Sequence, residues 1–244
     1  MIQNSIIRVL LSAGILCLSA CSSNNPEESF DRGLVAFYPF NGNANDLSGY
    51  SHDGELIGVT PTRNRFEEDS GAFHFDGTGD RIRIPHSEEL DIEGSLSISV
   101  WIKPEWLSAR ECIVFRGDDV SGEDPYYIRI YSGNTLDYLV TSLRDSTVSE
   151  VGMYDFSMTQ IADGNWSHVA MVFENRSSLS LYINGTIANS QQTNFDNRGA
   201  DRDMDLFIGG AASGQNFYGD IDDVRIYSRA LSGNEVAALY QRSN

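Results

Sequence analysis

The sequence predicts an all-β sandwich with one short helix close to its C-terminus. Three observations carry that prediction. Short apolar runs recur along the chain, punctuated by Gly, Asn, Asp and Ser. The clearest of them alternate with a period of two, as a half-buried strand requires. The one stretch with helical periodicity opens on a capping box near the chain's end.

Taken in order, strand-like runs fall at 34–40, 72–75, 81–85, 96–103, 113–116, 126–131, 136–143, 166–173, 179–183, 186–190, 206–208 and 221–227. In the fourth, Leu96, Ile98, Val100 and Ile102 alternate with Ser97, Ser99, Trp101 and Lys103. Leu179, Leu181 and Ile183 repeat the pattern, and Asn184-Gly185 supplies the positive φ of a two-residue hairpin into Thr186. In the helix, Ser232 and Glu235 form the capping box, and Val236, Leu239 and Tyr240 make an apolar face that would plug one end of the sandwich. So many short strands in so short a chain fit one all-β domain.

Composition limits the function. The 244 residues are 41% hydrophobic, 11% aromatic and 21% charged, with mean hydropathy −0.29, which excludes an integral helical membrane protein and a disordered chain. Lys+Arg number 17 against 35 Asp+Glu, a net charge of −18. A surface so acidic lacks the cations that phosphate backbones need, so no nucleic-acid partner is expected. The single lysine is Lys103, and an acidic, lysine-poor surface favours solubility in salt.

Residues 1–20 read as a bacterial export signal: Arg8 and the terminal amine lead into an apolar run that is short of the ~20 residues a membrane span needs. The run ends in Leu18-Ser19-Ala20-Cys21, which matches a lipobox, so Cys21 is the expected lipidation site. Residues 21–33 form a polar spacer and residues 34–244 the folded domain. This places the protein in the cell envelope, held to the membrane by lipid alone. Ser22 after the lipidated cysteine resembles the sorting pattern for the outer membrane of a Gram-negative bacterium. With Cys17 lost and Cys21 lipidated, Cys112 has no disulfide partner. Its setting, Cys112-Ile113-Val114-Phe115, is that of a core thiol.

Four blocks resemble the laminin-G-like jelly rolls of the concanavalin A-like lectin/glucanase superfamily. They are LVAFYPFNGNANDLSGYSHDG from Leu34, AFHFDGTGDRIRIP with SLSISVWIKP between Ala72 and Pro104, NWSHVAMVFE with LSLYINGT from Asn165, and LFIGG followed by GDIDDVRIYSRALSGNEVAALY up to Tyr240. The resemblance implies a two-sheet antiparallel jelly-roll sandwich. It does not settle the function, because such sandwiches host lectins, adhesins, accessory modules and glucanases.

The resemblance also implies a structural calcium (Ca2+) between the first loop and the last long strand, with Asp46 and Asp222 as leading side-chain ligands and Asn41 and the backbone around Ser51 as further ones. The residues offer their own support. The loop 41–54 is rich in hard oxygens, and Asp222 is expected on the core face with Val224 and Ile226, where a lone carboxylate is costly. The alternative is an Asx-rich turn, with Asp222 paired to Arg225 or another arginine. Asp201, Asp203 and Asp205 mimic the start of an EF-hand, but Leu206 stands where glycine is needed, so this reads as an acidic loop.

Glu89-Leu90-Asp91-Ile92-Glu93 matches the E-x-D-x-E signature of β-glucanases in the same superfamily. On a strand, Glu89, Asp91 and Glu93 would share one face as nucleophile, modulator and acid/base. Their neighbours match the non-catalytic pattern instead, in which they decorate a loop. Candidate sugar platforms are Trp106, Tyr126, Tyr127, Tyr131, Tyr154, Phe217 and Tyr218, while Trp101 and Trp166 fall in strand motifs. His52, His74, His86 and His168 have no zinc-motif spacing, and no Ser/His/Asp signature or phosphate loop is present. The expectation is a non-catalytic, lipid-anchored module that binds carbohydrate or a surface protein. The rivals are a glucanase and a purely structural or assembly lipoprotein.

Overall fold

The computed structural model describes residues 30–105, 110–117, 124–131, 135–144, 147–153, 161, 164–199, 203–211 and 214–242. The segment expected to be an export signal, Cys21 and most of the expected spacer lie outside the described residues, as do Trp106, Tyr154 and Asp201. Among the described residues, no helix is long and apolar enough to cross a membrane.

Among the described residues fifteen strands form two antiparallel sheets, the sandwich that the alternating runs predict. The first sheet contains β1 (Leu34–Tyr38), β3 (Thr60–Thr62), β4 (Ala72–Asp76), β6 (Leu96–Pro104), β11 (Ser167–Glu174), β12 (Ser178–Ile183), β13 (Thr186–Gln192) and β15 (Tyr218–Tyr227). Its order is β13-β12-β11-β6-β15-β4-β3, with β1 also paired to β15. The second holds β2 (Glu55–Ile57), β5 (Arg81–Ile84), β7 (Arg110–Arg116), β8 (Tyr126–Tyr131), β9 (Thr135–Arg144), β10 (Thr147–Met153) and β14 (Leu206–Ile208), in the order β10-β9-β8-β7-β14-β5-β2. All twelve predicted runs are strands; β2, β3 and β10 are additional.

The core fills the space between the sheets. Ile98, Val100 and Ile102 of β6, Val169 and Met171 of β11 and Phe73 and Phe75 of β4 face Ile82, Ile84, Val114 and Ile128 from the second sheet. Removing that apolar area from water is the main favourable contribution to folding. Cys112 is buried, as its apolar setting predicts. At the β12–β13 turn Asn184 and Gly185 take φ of 49° and 74°, the positive values such a hairpin needs.

The outer face of the first sheet is covered by α1 (Gly233–Gln241). The Ser232 hydroxyl accepts from the Glu235 N–H, and the Glu235 carboxylate accepts from Ser232 N–H, completing the capping box. Val236 and Leu239 pack with Leu34, Ala170, Val172 and Tyr227, while Tyr240 stacks on Trp101 at 5.6 Å. The helix therefore lies on the sheet's outer face, where Ser97, Ser99, Trp101 and His168 are all buried.

Strand β15 lies inside this sheet, next to the central β6, and is irregular. Its first half pairs with β4 and its second half with β1 along the same edge, while β6 runs along the other. Where the partner changes, a bulge occupies Asp222–Arg225, and Asp223 takes a φ of 51°. The extra residue shifts the alternation. Ile221, Val224 and Ile226 face the core, and Asp222 joins Asp220 on the outer face. The expectation that Asp222 shares the core face of Val224 is thereby corrected: the parity that predicted it is broken by the bulge.

Candidate functional site

The bulge opens beside a cleft of about 880 Å³. Phe37 and Pro39 form its wall on the β1 side, Asn41 and Leu47 come from the loop that follows, Ser70 and Gly71 from the loop before β4, and Asp223 and Arg225 from β15. The two loops are joined by the Gly42 N–H donating to the Ser70 carbonyl at 2.8 Å. The Arg225 guanidinium lies 3.9 Å from the centre of the Phe37 ring and 3.1 Å from Asp223 Oδ1. An apolar wall, amide groups and both signs of charge thus converge at one opening, the composition of a polar-ligand site.

Below the cleft lies a buried ionic network. Arg65 donates from one guanidinium nitrogen to Asp222 Oδ2 and from the other to Asp223 Oδ2, both at 2.7 Å. Its plane lies against the Phe66 and Trp101 rings at 4.3 and 4.6 Å. Asn64 fixes this arginine's loop, its Oδ1 accepting from the N–H groups of Phe66 and Glu68. Burial and the Asp223 carboxylate push the Asp222 pKa upward, and Arg65 and Arg225 oppose that shift. Alongside, His168 Nε2 is 2.8 Å from the Ser99 hydroxyl, and its Nδ1 has no hydrogen-bond partner. Burial, with Arg225 and Arg65 close by, lowers the His168 pKa from 6.5 to about 3.

The residues expected to hold calcium are distributed differently. Asp46 sits in its own loop with both oxygens occupied. Oδ1 accepts from the N–H groups of Phe37 and Ser48, and Oδ2 from the Ser48 hydroxyl and the His52 N–H, at 2.7–3.0 Å. Asp222 is held by Arg65. Asn41 lines the cleft, and Ser51 is an exposed turn residue with φ 64°. Four donors and a guanidinium already satisfy the two carboxylates, so in this arrangement they do not fit a shared cation.

The glucanase trio does not assemble. Glu89 lies in a one-turn 3-10 helix, Glu88–Leu90, and Asp91 and Glu93 lie in the loop before β6, not on a strand. Asp91 is the counter-ion of the fully buried Arg116. Glu89 accepts from the Ser87 hydroxyl, which holds its pKa below the usual range. Among the aromatic candidates, Tyr126, Tyr127 and Phe217 are buried, and only Tyr218 is part-exposed among those whose side chains are described. Asp205 pairs with Arg83 at 2.6 Å, so the EF-hand mimic has a structural role at that position.

Two groupings were not legible from spacing. His52 is buried in the first loop with Nδ1 3.1 Å from the Val35 carbonyl and Nε2 2.9 Å from the Ser87 hydroxyl. It ties that loop to the 3-10 turn. On the outer face of the first sheet, His74 of β4, Lys103 of β6 and Asp220 of β15 stand in one cross-strand row, with Glu105 just beyond. Alternation signals that His74 points outward between Phe73 and Phe75. Only the pairing of β4 with β15 brings Asp220 to it.

Two packed antiparallel sheets, a helix closing one face and a loop-bordered cleft define a jelly-roll domain of the lectin-like kind. The family model described as Concanavalin A-like lectin/glucanases superfamily matches residues 76–237, more than half of the chain, and the protein belongs to this superfamily. No curated protein matches the sequence. Among solved structures, the binding domain of Paraclostridial Mosquitocidal Protein 1 has a TM-score of 0.66 at 22% identity, covering 86% of this chain and 52% of that one. The binding domain of Botulinum Neurotoxin DC in complex with SialylT gives 0.63 at 15%, covering 87% and 52%. The same toxin's domain in complex with rat synaptotagmin II gives 0.62 at 15%, with the same coverage. At such identities the likeness is one of fold alone, and this chain spans about half the length of those domains.

Proposed function

We propose that the protein is a non-catalytic binding module of the bacterial cell envelope that holds a carbohydrate or a surface protein in the cleft beside β15. It is anchored by lipid on Cys21 in the outer membrane. The observation that carries this reading is the cleft itself, where Phe37, Asn41, Asp223 and Arg225 converge. Solved structures of similar fold are binding domains, one in complex with SialylT and one with rat synaptotagmin II, which fits the same reading. The loop positions of Glu89, Asp91 and Glu93, with Asp91 paired to the buried Arg116, weigh against hydrolysis. The structural or assembly lipoprotein is the remaining alternative.

The test applies the chain from Ser22 onward to a panel of insoluble polysaccharides, with calcium or with chelator, and scores retention and new reducing ends together. Retention without new ends, reduced about tenfold by Phe37→Ala or Asn41→Ala, is the expected result. Retention that survives chelator is expected if Arg65 and the loop N–H groups neutralise the two aspartates. Loss of retention under chelator would return calcium to the 41–54 loop. New reducing ends abolished by Glu89→Gln would establish a glycosidase, and no retention on any polymer would shift the weight to a protein partner. Acyl labelling lost in Cys21→Ala tests the anchor.

A further inference from the structure

A second cluster, on the same sheet face but at the opposite end of β15, is built differently from the cleft. His74 Nδ1 lies 2.8 Å from Asp220 Oδ1 and 4.0 Å from Glu105 Oε1, and one donor atom from each of the three residues falls within 4.8 Å of the others. We propose that His74, Glu105 and Asp220 form a binding site for a divalent transition-metal ion of the zinc class.

The distances suit such an ion. Bonds of about 2.0–2.2 Å to nitrogen and oxygen in a tetrahedron put neighbouring ligand atoms about 3.4 Å apart, and the separations of 2.8 and 4.0 Å bracket that value. An imidazole nitrogen with two carboxylate oxygens favours zinc-class ions over calcium, which seeks six or more oxygens. Three protein ligands leave a fourth position for water. His74 and Glu105 keep side-chain exposures of 29% and 39%, so an ion can enter, whereas Asp220 at 5% is set into the sheet.

The ligands are also held in place from outside. His74 and Asp220 stand opposite each other on hydrogen-bonded strands, a rigid base for a site. Lys103 Nζ is 3.3 Å from Asp220 Oδ2, the oxygen turned away from His74, which leaves Oδ1 directed at the imidazole. The Tyr218 ring packs edge-on to His74 at 5.9 Å. Such outer contacts fix a ligand's orientation and tune its metal affinity. Lys103 is the one opposing charge in the row: an ion pair alone would need it, whereas a metal would bind better without it.

The decisive experiment titrates cobalt(II), then zinc(II), into the metal-stripped full-length chain, made without a histidine tag. Cobalt absorption reports coordination and calorimetry the stoichiometry. One equivalent is expected, displaced by zinc and not by calcium. Affinity should fall at least about tenfold in both His74→Ala and the exposed Glu105→Gln, and rise in Lys103→Gln. Circular dichroism confirms that each variant is folded. Because Glu105 lies after β6 on the surface, its variant keeps the test valid even if His74→Ala loosens the sheet. No cobalt signal from the wild type, or the same affinity in both ligand variants, would overturn the site.

Discussion

Asp46 and Asp222 are both buried carboxylates, at 8% and 2% residue exposure, and they are neutralised in opposite ways. Asp46 is satisfied almost wholly from its own neighbourhood: Phe37, Ser48 and His52 supply all four donors, none of them a formal cation. Asp222 depends on Arg65, which lies 157 residues away in the chain. The first arrangement is a turn that organises itself; the second is a cross-chain ion pair that forms only when the whole sheet does. Hydrogen bonds to a carboxylate contribute roughly 1.5–3 kcal/mol each at most. Stranding a buried charge costs more, because the desolvation remains after the partner is gone.

The comparison is sharpest at Arg65. Arg65→Ala should destabilise the fold by about 3–5 kcal/mol in urea unfolding, because Asp222 and Asp223 stay buried; adding Asp222→Asn should recover part of the loss. A result below about 1 kcal/mol would show the network to be solvated. Next in size is the pH dependence of the same region. His168 has a folded pKa of about 3 against an ordinary 6.5, so its contribution is fully present above pH 6.5 and is lost as pH falls toward 3. Wild type should lose roughly 2–4 kcal/mol more than His168→Gln across that window, measured by unfolding at each pH. On the local side, Asp46→Ala should cost about 2 kcal/mol and leave the pH profile of His168 unchanged. Smallest is Ser232→Ala, which removes a single helix-cap acceptor for about 1 kcal/mol in thermal unfolding.

The same contrast explains what could be read from the chain. Alternation in Leu96–Pro104 and in Ser178–Ile183, Asn184-Gly185 and the Ser232–Glu235 box are local signals, and each became the element it predicted. The oxygen richness of the 41–54 loop is equally local, but it fits the expected calcium loop and the alternative Asx-rich turn alike. Failures arose where pairing decides. The positive φ at Asp223 is carried by a non-glycine residue and shifts the register, so period-two counting put Asp222 on the wrong face. Arg65 lies in a loop whose destination no spacing reveals. Short β2 and β3 contain too few residues to show a period. His74 and Asp220 are ordinary strand residues until β4 and β15 are laid side by side.

The position of β15 also constrains when this sheet can form. Among the described strands of this sheet β15 comes last in the chain, yet it lies inside the sheet, between β6 on one edge and β4 and β1 on the other. A nascent chain ending before Tyr218 therefore holds the sheet as separate pieces with nothing to join them. Cooperative closure of this sheet must wait for Tyr218–Tyr227 to leave the ribosome, so the segments before them stay threadable until then. A stop codon before Tyr218 would remove the keystone of the arch, whereas loss of an outer strand such as β13 would only shorten its rim.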